Sequence, residues 1–165
     1  MELNLDALET SFDLIAPRGD ELMDVFYERL FTTAPGVRDL FPTDMARQKT
    51  MLLGALVLLR TSLRNLDAIV PTLQNLGARH VAYGARPEHY PVVGATLIAA
   101  MAEVAGDDWQ PAYAAAWNHA FVLVAGAMLA GAETATSQLE KRTLAPGASW
   151  PASRRSSVQT TAITG

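Results

Sequence analysis

The chain contains no cysteine among its 165 residues. That excludes a disulfide framework, thiolate metal sites, a cysteine nucleophile and thioether-linked cofactors such as bilins. Charge is sparse, at 18% of residues, and the formal balance is −4 with a pI near 5.3. General nucleic-acid binding, which needs a basic footprint, is not expected. No Asn-Gly or Asp-Gly pair marks a hairpin, and β-branched clusters in strict alternation are nearly missing. Apolar runs are short: the longest, counting glycine, is Ala120 to Ala132, thirteen residues where a spanning helix needs roughly 18. The opening MELNLDALE is acidic and lacks the basic-then-apolar order of a signal peptide. The expectation is a cytoplasmic protein with no membrane segment.

Helix formers are abundant instead. Alanine and leucine supply 28 and 21 residues, both favour helix, and the class read from the chain is all-α. Half of the residues are hydrophobic, enough for one sizeable core and one domain. Leu5, Leu8, Phe12 and Ile15 mark a first amphipathic helix, ended by Pro17 and Gly19. Asp20 is expected to cap a second, with Leu22, Val25, Phe26 and Leu30 inward until Ala34-Pro35-Gly36. A turn-like piece from Val37 to Phe41 stops at Pro42. A long helix follows from about Asp44 to Arg64, striped by Leu52, Leu56, Leu59 and Leu63. The next covers Leu66 to Tyr83, with Pro71 in its first turns and Gly84 as its stop. Another runs from Glu88 to Val104 and ends at Gly106. The last starts near Asp108 and reaches about Glu140, giving a domain over residues 1–140. Residues 141–165 change composition to Ser, Thr, Pro and Gly, with Arg154 and Arg155 adjacent, and read as a disordered tail or a docking site.

Without cysteine, ligands and acid–base groups reduce to three histidines, the carboxylates and the tyrosines. There is no H-x-x-x-H or H-E-x-x-H pair, no G-x-G-x-x-G or G-x-x-x-x-G-K-S/T loop and no G-x-S-x-G elbow. His89 begins a helix beside Pro91 and reads as exposed or capping; His119 reads as a packing residue. His80 shares one helix face with Leu73 and Leu76, and by spacing alone it is a core histidine or a ligand. Gln48 and Leu52 lie one turn apart on the long helix, and Tyr27 follows Phe26. By spacing alone Tyr27 is an edge tyrosine and Gln48 an exposed glutamine. Two packed helices can also set an imidazole against a Gln/Tyr pair across a flat apolar slot, which suits a haem with a small bound ligand.

Five strings in order resemble the globin family over most of residues 1–140. They are FYERLF (Phe26 to Phe31), PGVRDLFP (Pro35 to Pro42), LDAIVPTLQNLGARHVAYG (Leu66 to Gly84), HYPVVG (His89 to Gly94) and AAW ending at Trp117. Taken together they resemble bacterial single-domain globins, the globin part of flavohaemoglobins and, more distantly, neuroglobins. The resemblance implies seven or eight helices around haem b (iron protoporphyrin IX). It implies His80 as the iron ligand, Phe41 against the porphyrin face, Tyr27 and Gln48 as the ligand-side pair, and Leu52 over the pocket. Leu76, on the His80 face, joins the haem contacts. Tyr90 matches a tyrosine that supports a glutamate near the proximal histidine. Ala132 stands where that glutamate belongs, with Glu133 next to it, so peroxidase-like activation of the iron is not expected. The segment between Phe41 and Gln48 is shorter than in flavohaemoglobin-like relatives.

The function implied is reversible O₂ binding, with NO and CO as other small ligands, and nitric-oxide dioxygenation as a use. The alternative is O₂ storage, delivery or gas sensing without turnover. No distal histidine is evident, so five-coordinate or water-bound haem is expected. After Glu140 only the tail follows, so electrons are expected from a separate reductase. A monomer or homodimer is expected, with Leu123 and Met128 on the last helix assigned to core or to a dimer interface.

Overall fold

The computed structural model describes residues 2–144, and these fold into six α-helices and four short 3₁₀ segments. The helices are α1 (Leu5–Ile15), α2 (Gly19–Thr33), α3 (Ala46–Ser62), α4 (Val70–Ala82), α5 (His89–Ala105) and α6 (Pro111–Leu144). The implied seven or eight helices become six because Leu63–Ile69 and Pro35–Leu40 are wound as 3₁₀. No strand occurs among the described residues.

Helix α1 begins where the Asn4 side chain accepts from the Ala7 N–H at 3.1 Å, satisfying one orphan donor of the first turn. It buries Leu8, Ser11, Phe12 and Ile15, the spacing of one helical face. Helix α2 follows after a single 3₁₀ turn, Ala16–Arg18, which accommodates Pro17. The expected Asp20 cap is not there. The helix starts at Gly19, and Asp20 with Glu21 sits inside the first turn, where carboxylates favour the positive end of the helix dipole. Its buried face is Leu22, Met23, Phe26, Tyr27 and Leu30.

The core lies where α2 packs on α5 and α1 crosses both α5 and α6. Trp117 of α6 is fully enclosed there. Its Nε1–H donates to Ser11 Oγ at 2.8 Å, and that hydroxyl donates to the Ala7 carbonyl at 2.6 Å. A polar pair at the centre is thereby satisfied, as burial requires. Helix α3 is strapped to this unit by ion pairs Lys49–Asp24 and Arg60–Asp13, and the 3₁₀ stretch that follows it by Arg64–Glu9, each at 2.8 Å.

The helix expected from Leu66 begins later, at Val70. Before it, Leu63–Ile69 is 3₁₀, broken at Asn65, whose φ of −146° and ψ of 58° lie outside helical space. Pro71 stands at the start of α4, where a missing N–H costs least. Gly84 and Gly106 end α4 and α5 with φ of +86° and +60°. At Gly84 the chain closes a Schellman turn. Ala85 N–H donates to the His80 carbonyl at 3.0 Å and Gly84 N–H to the Val81 carbonyl at 3.1 Å.

Helix α4 lies along α6 at backbone contact. A Cβ placed on Gly77 would fall on the Met128 carbonyl, and one on Gly131 would fall on the Gln74 carbonyl. These two contacts make the pair antiparallel and fix its register. Helix α6 is 34 residues long and by length and composition could cross a membrane; in this fold it is the element on which α1, α4 and α5 all pack. Met128 belongs to its buried face, whereas Leu123 is 47% exposed, so only one of that pair is core. Helix α6 continues to Leu144, past the expected end near Glu140. The Ser/Thr-rich segment with Arg154 and Arg155 lies outside the described residues.

Candidate functional site

Among the described residues, apart from its contact with α6 and the 3₁₀ stretch leading into it, α4 has no helix packed extensively against it. At about 100° per residue, Leu76 and His80 lie to one side of the Gly77 contact line, and Leu73 shares that flank. All three are half-buried. The ring Nδ1 of His80 lies 2.6 Å from the Leu76 carbonyl oxygen. A carbonyl only accepts, so this bond fixes the proton on Nδ1 and leaves Nε2 with its lone pair. The backbone of the same residue is fixed by the Schellman turn, whose Ala85 N–H lands on the His80 carbonyl. His80 is thus held by ring and main chain together. Tyr90 stands beside it, ring centroids 6.5 Å apart, and Tyr83 is nearer at 5.7 Å. Burial pushes the Tyr90 hydroxyl up from its ordinary pKa.

A second group is built from α2, the 3₁₀ turn and α3. The rings of Tyr27, Phe31 and Phe41 form a closed triangle with centroids 5.8, 5.7 and 5.4 Å apart, and Phe26 meets Tyr27 edge-on at 4.8 Å. Tyr27 is buried at 4% exposure. Burial raises its pKa, while a hydrogen bond with Gln48 acts in the opposite direction; the net shift is upward, so the phenol keeps its proton at neutral pH. Leu52, one turn beyond Gln48, is half-buried against the core. The two groups approach where Leu40 lies against Gly84, whose Cβ would meet the Leu40 Cδ2 at 3.2 Å.

Of the seven residues singled out in the chain, Tyr27, Phe41 and Gln48 therefore form one cluster. Leu76, His80 and Tyr90 form another, and Leu52 stands one turn beyond Gln48 on α3. Phe31 in FYERLF and Arg38 in PGVRDLFP join the first cluster without having been singled out in the chain. Their signal was spacing: Phe31 is one turn past Tyr27, and Arg38 stands three residues before Phe41. His89 is not the cap: it is the first residue of α5, half-buried, and its Nδ1 accepts from the Arg86 N–H of the preceding loop at 3.0 Å.

The donor set suits haem. There is one imidazole with its proton committed elsewhere, apolar walls of leucine and phenylalanine, and a phenol–amide pair on a different element. The globin family model matches residues 24–128. This chain belongs to the globin family. Among curated relatives, the globin is 27% identical over 128 residues to a flavohemoprotein of Bacillus subtilis, covering 76% of this chain and 32% of that protein. It is 31% identical over 131 residues to the flavohemoprotein of Bacillus thuringiensis, covering 78% and 32%. The chain thus spans about a third of the length of these relatives. Among solved structures, an engineered carbene transferase from Rhodothermus marinus aligns at TM-score 0.76 with 24% identity, covering 85% of this chain and 98% of that one. A bacterial globin from Campylobacter jejuni aligns at 0.71 with 22% identity, covering 81% and 96%. Those two likenesses establish the fold.

The antiparallel register of α4 and α6 also locates Glu133. One turn on from Gly77, His80 comes level with Ala125, whereas Glu133 comes level with Thr72. The two residues are separated by eight positions along the helix, about 12 Å at 1.5 Å per residue. Glu133 is exposed, and among the described residues it makes no hydrogen bond to His80. The acceptor on His80 in this globin is the Leu76 carbonyl.

Proposed function

We propose that this globin binds haem b between α3 and α4 with His80 Nε2 as the iron ligand, and that it binds O₂ reversibly, with NO and CO as competing ligands. The observation that carries the reading is the 2.6 Å contact between His80 Nδ1 and the Leu76 carbonyl on the α4 flank that α6 leaves free. A neutral imidazole with its far nitrogen hydrogen-bonded is the arrangement of a metal-ligating histidine. Haem, when bound, supplies an iron that takes a diatomic gas and, with O₂ and NO together, supports nitrate formation followed by re-reduction.

The chain's own residues do the rest. Tyr27, kept protonated by burial, donates toward a ligand on the side of Phe41, and Gln48, close enough to oppose that rise in pKa, supplies an amide of its own. A neutral hydrogen bond is worth about 0.5–1.5 kcal/mol, so each donor slows O₂ loss by about 2- to 12-fold. Phe41, Leu52 and Leu76 give apolar walls that exclude water. A polar pair of this strength favours a retained O₂ that meets NO, which is why nitric-oxide dioxygenation is the use we favour. The flavohemoprotein relatives, by name, join haem to a flavin, and we infer that a flavin-dependent reductase returns the electrons here, in the cytoplasm.

The test is a visible spectrum of the purified chain, ferric and then dithionite-reduced, with wild type beside His80→Ala. A strong Soret band that is lost or shifted in the variant supports the assignment. A wild type that takes up no stoichiometric haem on reconstitution refutes it. For the reaction, stopped-flow mixing of the oxygenated chain with NO decides: consumption no faster than that of free haem leaves O₂ storage, delivery or sensing.

A further inference from the structure

The 3₁₀ turn that presents Phe41 is closed by one residue. Arg38 accepts the Phe41 N–H on its own carbonyl at 3.1 Å. Its guanidinium Nη1 donates to the Phe41 carbonyl at 3.3 Å and to the Pro42 carbonyl at 2.9 Å, and Nη2 donates to the Thr43 carbonyl at 3.3 Å. The same guanidinium lies over the face of Phe31, its central carbon 4.9 Å from the ring centroid. Among the described residues it forms no ion pair with a carboxylate. Every bond it makes is to the turn or to the ring beside it.

These contacts define a device. Pro42 already confines Phe41 to extended backbone, and its φ of −112° and ψ of 152° agree. Arg38 then fixes both ends of the Phe41 residue, its N–H and its carbonyl. The ring so placed is one corner of the triangle with Phe31 and Tyr27, and the Phe31 corner is covered by the guanidinium. Two of the three rings that limit how Tyr27 can turn are therefore held by Arg38, the third being Phe26. A lysine could place a charge over Phe31 but could not span three carbonyls with a planar fork.

We propose that Arg38 is a positioning residue of the ligand pocket: by fixing Phe41 and Phe31 it sets the direction in which the Tyr27 hydroxyl donates. The proposal rests on the haem reading above, and it explains how the short segment between Phe41 and Gln48 keeps a defined wall without a helix of its own.

The deciding experiment is infrared spectroscopy of the ferrous carbonyl complex, because the C–O stretch reports the donor facing the ligand and not the stability of the fold. Wild type, Arg38→Lys, Arg38→Ala, Tyr27→Phe and the Arg38→Ala/Tyr27→Phe double variant are compared, together with their O₂ dissociation rates. Arg38→Ala is expected to broaden the band and move it toward the Tyr27→Phe position, and to speed O₂ release by about 2- to 12-fold. Added to Tyr27→Phe, it is expected to change nothing further, since residues that act through one another are not additive. Arg38→Lys should fall between, and it carries the same comparison if Arg38→Ala does not fold. Amide exchange at Phe41 in the haem-free chain should quicken in the same order. A normal wild-type carbonyl complex left unaltered by both Arg38 variants overturns this inference alone, as does full additivity with Tyr27→Phe. A wild type that forms no carbonyl complex overturns the haem reading and this one with it.

Discussion

The two sides of this globin are built on different terms. Around Trp117, helices α1, α2 and α5 bury long runs of their residues, with Leu8, Leu22, Met23, Leu30, Ala100 and Met101 at no more than 1% exposure. On the opposite side α3 buries only Leu56 and Leu59, and α4 buries only Gly77. Yet Gln48, Leu52, Leu76 and His80 all sit on α3 and α4. The core side supplies stability through apolar burial, at about 25 cal/mol per Å². The other side holds its groups by single directed contacts: a carbonyl on His80, a guanidinium on Phe41, backbone on backbone at Gly77. Most of the stability and most of the site are thereby separated in space, with Tyr27 of α2 the residue that belongs to both.

The comparison is broken hardest from the core side. Trp117→Ala removes the largest enclosed side chain and leaves Ser11 without its donor; a loss of about 3–5 kcal/mol is expected in denaturant titrations of the haem-free chain. Trp117→Phe keeps most of the volume and should lose distinctly less.

Next come two glycines, one at the α4–α6 contact and one facing solvent on α6, which should differ in sign. Gly77→Ala drives a methyl into the Met128 carbonyl and is expected to destabilise by about 1–3 kcal/mol, with faster haem loss because α4 is displaced. Gly126→Ala meets nothing within 4 Å, and the ordinary helix preference for alanine should stabilise by about 0.5–1 kcal/mol. If both substitutions shift the midpoint the same way, the α4–α6 contact is not what positions the histidine.

The smallest effect is titration of the ligand-side cluster. Burial raises the Tyr27 pKa in the folded chain, so its contribution to stability is complete below the unfolded value of about 10 and is lost as pH rises through the folded value. Denaturation midpoints should be insensitive to Tyr27→Phe near neutrality and diverge only above about pH 10, where wild type falls more steeply. Equal slopes for the two proteins would show that the phenol is not desolvated.

The difference between the two sides also governs what could be read from the chain. Leu22, Phe26 and Leu30, or Leu8, Phe12 and Ile15, announce their helices because a buried face repeats every three or four residues. Gly84 and Gly106 were legible as stops because positive φ selects glycine. The stretch from Leu63 to Ile69 was not: its apolar residues Leu63, Leu66 and Ile69 recur every three, a spacing that α-helix and 3₁₀ share. The place of Ser11 was not legible either, since nothing local to it reveals that Trp117 will supply a donor. In the site, His80, Tyr27 and Phe41 were named through family resemblance, and their spacing alone left bland alternatives standing. Gly77 was visible only as a letter in LGARH, because a glycine at a backbone contact and one in solvent look alike in sequence. Arg38 was hidden for a related reason, as its partners are carbonyl oxygens that every residue type carries.

The meeting of α4 and α6 at Gly77 and Gly131 has a mechanical consequence. Side chains that interpose between helices act as springs, adjusting by rotamer changes when one helix shifts. Here there are none at the crossing, and peptide rests on peptide. The helix that bears His80 therefore has one-sided compliance: it can recoil away from α6 against half-buried leucines, but movement toward α6 meets a rigid stop.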